Sequence, residues 1–156
     1  MLLQTNTCEI RRFDSKDLDQ LYLLIKDEAI RDSIPKIYSS ERDDAKHLLE
    51  KIANNNDYFA IMHDNQIVAI AFVEALGKEE LKFFFALRHD MRHKGILLET
   101  IPVIIEWLKI NSNCFRLLFS VKLHNISSLM FIKELGAVFF RTEENGLTYK
   151  IDLIER

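Results

Sequence analysis

The sequence predicts an α/β domain built on one mixed sheet, and three observations carry that reading. First, apolar runs of strand length alternate with stretches of helical apolar spacing, in the order β-α-α-β-β-β-α-β-α-β-β. Second, the strands near the start and the end are joined by short turn signals, which favours antiparallel pairing there. A single β-α-β passage in the middle supplies parallel pairing. Third, the run Glu80–Leu87 carries large apolar groups on both faces: Leu81, Phe83, Phe85 and Leu87 on one, Phe84 and Ala86 on the other. Such a strand sits centrally, covered on two sides. The expectation is a seven-stranded mixed sheet flanked by about four helices, in a single domain over residues 1–156.

In chain order, Cys8 to Phe13 is a short strand. Asp14 or Ser15 caps the first helix, with Asp17 in its first turn and Leu18, Leu21, Ile25 and Ala29 on its apolar face. The pattern breaks at Ile34-Pro35, because proline disfavours helix in the residue before it. Ser40 caps a second helix, Glu41 to Ala53, which ends at the Asn54–Asn56 run. Strands follow at Tyr58–Met62 and Gln66–Ala75, joined by Asp64-Asn65, two residues that tolerate positive φ. Leu76–Glu79 turns the chain into the central strand. A helix from Gly95 to Ile110 contains Pro102, which either kinks it or marks where regular helix begins. Phe115–Val121 is another strand. Asn125 to Leu135 is a helix stopped by Gly136, and strands Ala137–Arg141 and Leu147–Ile154 flank an Asn145-Gly146 hairpin.

Composition narrows the function classes. The net charge is -3, from 21 basic and 24 acidic side chains, so no global field recruits nucleic acid. The N-terminus lacks the basic start and apolar core of a secretory signal, and the most apolar helix is short and interrupted by Glu99, Glu106 and Lys109. A cytoplasmic protein with no membrane partner is expected, its Cys8 and Cys114 reduced rather than bridged. No Walker or dinucleotide-binding glycine pattern occurs, and no nucleophile-elbow serine. His89 and His93 stand four apart but lack the flanking residues of a zinc pair, so no metal is assigned.

The segment after the central strand carries the chemistry. Arg88, His89, Arg92, His93 and Lys94 crowd one loop, Gly95 follows, and a helix opens at Ile96. The first amides of a helix have no internal acceptor and the helix dipole adds positive charge, so this is an anion site or else an ordinary solvated basic loop.

With the element order, two motifs resemble the GNAT acetyltransferase superfamily. Arg92-His93-Lys94-Gly95-Ile96-Leu97 is similar to its acyl-CoA loop, [Q/R]-x-x-G-x-[G/A]. Asn125, followed by Phe131-Ile132-Lys133-Glu134-Leu135-Gly136-Ala137-Val138, is similar to its later motif of Asn and then Tyr-x-x-Leu-Gly-Phe. The resemblance implies an N-acetyltransferase that moves acetyl from acetyl-CoA to a primary amine on a small molecule or peptide. It implies that Leu87 polarises the thioester carbonyl through its backbone, that Arg92–Leu97 hold the pyrophosphate, and that Asn125, Ser128 and Ile132 lie along the cofactor. Glu80 and Glu74 are the candidate bases. The chain departs from the pattern in two places. Leu97 stands where the loop wants a small residue, and Ile132 where many members carry a tyrosine that protonates the leaving thiolate. The closing Leu135–Phe139 pattern is also similar to degenerate GNAT-like proteins of tailed bacteriophages. That implies an alternative: a non-catalytic binding or virion-assembly component. The apolar run Ile96–Leu108 offers surface that could pair two copies into a homodimer.

Overall fold

The computed structural model describes residues 1–34, 37 and 39–154. Pro35, half of the expected break, lies outside them. The strands are β1 (Leu2–Gln4), β2 (Cys8–Arg11), β3 (Tyr58–His63), β4 (Gln66–Leu76), β5 (Glu80–Leu87), β6 (Arg116–Lys122), β7 (Val138–Glu143) and β8 (Gly146–Asp152). The helices are α1 (Leu18–Ile25), α2 (Glu28–Ser33), α3 (Arg42–Ile52), α4 (Ile96–Asn111) and α5 (Ile126–Glu134). One mixed sheet has the strand order β1-β2-β3-β4-β5-β6-β8-β7. The predicted class is therefore the observed one, with one strand and one helix more than the sequence announced. Residues 1–72 with 84–100, and 73–83 with 101–156, form two compact units.

In the first unit, β1, β2, β3 and β4 pair antiparallel in succession. The β3–β4 hairpin closes at His63↔Gln66, with Asp64 and Asn65 at φ 49° and 62°, as their tolerance of positive φ predicts. Its core gathers Phe13, Leu21, Leu24, Ile30, Ile52 and Phe72. Tyr58, Phe72 and Phe84 stack at centroid separations of 5.0 and 4.7 Å.

The first helix differs from expectation. It starts at Leu18 with Asp17, not Asp14 or Ser15, at the N-cap, and the Asp17 carboxylate makes no cap bond because the Arg11 guanidinium at 2.7 and 2.9 Å and the Asp14 amide at 2.8 Å engage it. It ends at Ile25, and Asp27 turns extended to cap a separate helix, α2. Ser40 is not the cap of α3. Glu41 holds that position, and the Ser39 hydroxyl accepts its amide.

In the second unit, β5 pairs β6 parallel over Glu80↔Arg116 to Lys82↔Leu118. Strand β8 pairs antiparallel with β6 and with β7. The β7–β8 turn is Glu144-Asn145, not Asn145-Gly146, and neither turn residue has positive φ. Gly146 belongs to β8 and serves a different need. A Cβ there would stand 2.2 Å from the Val121 carbonyl oxygen of β6.

Helix α4 runs unbroken through Pro102. The proline removes one amide, leaving the Leu98 carbonyl without its usual helical donor. The apolar run that suggested a dimer is spent largely inside the chain: Ile96, Ile101, Ile104, Ile105 and Leu108 are buried. Cys8 and Cys114 are free thiols; burial pushes the Cys8 thiol up. Among the described residues, no helix is long and apolar enough to cross a membrane.

Candidate functional site

In the first unit, β5 ends at Leu87 and the Arg88 amide bonds back to the Val68 carbonyl of β4 at 2.9 Å. The chain then makes a tight turn of 3₁₀ helix, His89–Met91, and leaves it at Arg92. His93 follows at φ 65° and Gly95 at φ 74°, both left-handed, and α4 opens at Ile96. Left-handed backbone costs a residue with a Cβ about 1–2 kcal/mol. Its use at His93 marks a loop held in one shape by its surroundings. The Gly95 carbonyl accepts the first helical bond, from Glu99 at 3.0 Å. By helix geometry the amides of Ile96, Leu97 and Leu98 have no acceptor within α4.

The cations of this loop are not equivalent. The Arg88 guanidinium grips Asp90 with two bonds, 3.1 and 2.6 Å, and Gln66 with a third at 3.1 Å. That grip holds the Asp90 carboxyl below the usual range. Arg88 therefore shapes the loop, and its charge is answered locally. Arg92, His93 and Lys94 are exposed, and among the described residues neither Arg92 nor Lys94 has an ion-pair partner within 4 Å. A Cβ added to Gly95 would meet nothing within 4 Å, so the ground beside the helix start is open. Leu97 is half-buried and Ile96 is buried, so Ile96 can offer an anion only its backbone.

Two carboxylates hold the loop from either side, and neither is among the residues that the sequence singles out. Asp27 accepts the His89 amide at 2.9 Å. Glu99, in the first turn of α4, accepts the Thr5 hydroxyl, the Thr7 hydroxyl at 2.8 Å and the Thr7 amide at 3.0 Å. The Thr5 hydroxyl, then Thr7, holds the Glu99 carboxyl below the ordinary glutamate range. No local pattern betrays either contact, since the partners lie 62 and more than 90 residues away.

In the second unit, Asn125 caps α5: its side-chain oxygen accepts the Ser128 amide at 3.1 Å. The helix ends at Glu134 with Leu135 as its C-cap, and Gly136 takes the left-handed position expected of it, φ 94°. Ile132 is 1% exposed and belongs to the core. Glu80, a candidate base, is ion-paired with Arg116 at 3.0 Å, while Glu74 is half-buried on β4. Tyr149 is buried edge-on to Phe139.

The residues of the cationic loop thus fit a pyrophosphate: first-turn amides with no acceptor inside α4, two cations without an ion-pair partner among the described residues, and open space at the glycine. Together the mixed sheet and this loop define a domain of the acetyltransferase type. The family model for the acetyltransferase (GNAT) domain matches residues 10–152, and the chain belongs to that family. Among solved structures it is similar to a GNAT-family acetyltransferase from Bacillus anthracis, with a TM-score of 0.81 and 16% identity over 98% of this chain and 99% of that one. It is also similar to RimL, a ribosomal-protein alpha-N-acetyltransferase in complex with coenzyme A, with a TM-score of 0.82 and 11% identity over 97% and 98%. The PaiA N-acetyltransferase from Thermoplasma acidophilum, also in complex with coenzyme A, gives 0.69 and 16% over 94% and 99%. At these identities the likeness concerns the fold. A search of curated proteins returns no match.

Proposed function

We propose that this chain is an N-acetyltransferase that takes acetyl-CoA as donor and a primary amine as acceptor. The observation that carries the reading is the loop Arg92–Leu97, with its two left-handed residues leading into the α4 N-terminus. Acetyl-CoA supplies the activated acyl group as a thioester. The amides of Gly95, Ile96 and Leu97 hold its pyrophosphate, with Arg92 and Lys94 adding charge and His93 setting the path of the loop. The backbone at Leu87 polarises the acyl carbonyl. Asn125 and Ser128 meet the pantetheine arm, and Ile132 bears on the cofactor only from within the core. Glu80 or Glu74 accepts the proton that the acceptor amine loses, directly or through a water. With isoleucine at 132, the departing thiolate takes its proton from solvent.

The coenzyme A complexes of RimL and PaiA support the donor, and fold neighbours that are amine acetyltransferases, a spermidine N-acetyltransferase among them, support the acceptor class. A second reading, a CoA-binding protein without transferase activity, is favoured by one observation. The position where the family resemblance implies a proton-donating tyrosine is here a buried isoleucine.

The test is calorimetric titration with CoA, followed by acetyl transfer to spermidine, peptide N-termini and lysine peptides. Wild type binds CoA, and Arg92→Ala with Lys94→Ala weakens binding and flattens its salt dependence. Tight binding with CoA release no faster than hydrolysis in buffer selects the second reading. No binding overturns both.

A further inference from the structure

We propose that Asp27 is a positioning residue for the anion loop: one carboxylate caps α2 and, with its other oxygen, fixes the loop where it leaves β5. The inference rests on the CoA reading of that loop. Oδ1 accepts the Ala29 amide at 2.9 Å and Oδ2 accepts the His89 amide at 2.9 Å. The His89 amide opens the 3₁₀ turn, whose internal bonds, Met91 to Arg88 at 3.0 Å and Arg92 to His89 at 3.4 Å, carry the chain to Arg92. The next residues include the left-handed His93, a conformation that persists only where both flanks are held. Downstream the hold is Glu99 on Thr5 and Thr7. Upstream, Arg88 is tied to Asp90 inside the loop itself and to Gln66, so Asp27 is the tie that joins the turn to a helix.

Electrostatics and positioning predict opposite signs here, which makes the proposal testable. Asp27 is an acid bonded to a cationic loop. If only its charge mattered, removing it would tighten anion binding. If it positions the loop, removing it weakens binding.

Asp27→Ser keeps a good helix cap but is too short to serve His89. Asp27→Asn keeps the shape, yet turns one of the two acceptors into a donor facing a donor. Asp32→Ser removes a charge from the same helix without touching the loop. Calorimetry at 25 °C should show CoA binding weakened about tenfold in Asp27→Ser and Asp27→Asn and unchanged in Asp32→Ser, the loss expected of one charge-assisted hydrogen bond. Without ligand, amide hydrogen exchange across residues 88–95 should quicken in both Asp27 variants and not in Asp32→Ser. If Asp27→Ser fails to fold, the isosteric Asp27→Asn carries the test. Binding that is unchanged or tighter, or exchange that does not move, overturns the proposal. A lower melting temperature with an unchanged dissociation constant also overturns it, since that is the mark of a merely structural cap. If wild type does not bind CoA, the transferase reading fails, and the exchange experiment still reports whether Asp27 holds the loop.

Discussion

Gly95→Ala separates the loop's cost in stability from its role in binding. The glycine sits at φ 74°, and an added Cβ meets nothing within 4 Å. No clash is created, so the folded state pays only the left-handed penalty of about 1–2 kcal/mol. Alanine also restricts the unfolded chain, which returns about 0.4–1 kcal/mol. At positive φ the strain outweighs that return, so the net destabilisation is about 0.5–1.5 kcal/mol, or a fall of roughly 1–6 °C in melting temperature for a chain of this length. Binding behaves differently. The new methyl occupies the open ground beside the first amides of α4, where a phosphate would have to approach. Losing one or two charge-assisted amide bonds, at about 1.5–3 kcal/mol each, weakens CoA affinity at least about tenfold. Calorimetric unfolding and CoA titration on the same preparation measure both numbers. Destabilisation above about 3 kcal/mol, beyond what backbone strain alone supplies, would refute the reasoning. So would CoA affinity within about twofold of wild type, a difference well under one hydrogen bond.

Three further outcomes follow from the same structure. Gly146→Ala forces a Cβ against the Val121 carbonyl and should cost about 2–3 kcal/mol in urea unfolding, with no left-handed strain involved. Glu99 has its carboxyl depressed by Thr5 and Thr7, so it contributes stability above its unfolded titration range and loses it as pH falls through the folded one. Unfolding free energies measured down an acid series should converge between wild type and Glu99→Gln at the acid end and separate near neutrality; parallel curves would remove Glu99 as the source. Ile132→Tyr tests the missing acid, but Ile132 is 1% exposed. The larger side chain should destabilise by about 1–3 kcal/mol, and a gain in turnover below the lowered midpoint would show that the thiolate lacks a donor. Two tyrosines could stand in as donor: Tyr149 is buried, and Tyr38 lies outside the described residues.

What the sequence determined by itself was much of what local chemistry controls. Period-2 and period-3.6 patterns set the order of strands and helices. Asp64-Asn65 announced a hairpin and Gly136 a helix stop, because positive φ is a property of a residue and its immediate neighbours. The buried strand, the basic loop, Gly95 and the opening of α4 could be read as an anion site for the same reason. Only the tertiary structure decided what depends on partners far along the chain. The three residues of β1 carry too little pattern to register, and they become a strand through pairing with β2. The helix expected to run past Asp27 is split there because Asp27 turns extended to cap a new helix and, at the same time, hold an amide of the distant loop. Gly146 looked like a turn residue, yet it is required by the approach of β6, a neighbour that the hairpin sequence does not contain. Arg88 counted among the loop's cations until Gln66, 22 residues away, joined Asp90 in engaging it. In each case the deciding contact is a hydrogen bond or a close approach whose energy depends on tenths of an ångström, set by chain segments that composition and periodicity do not relate.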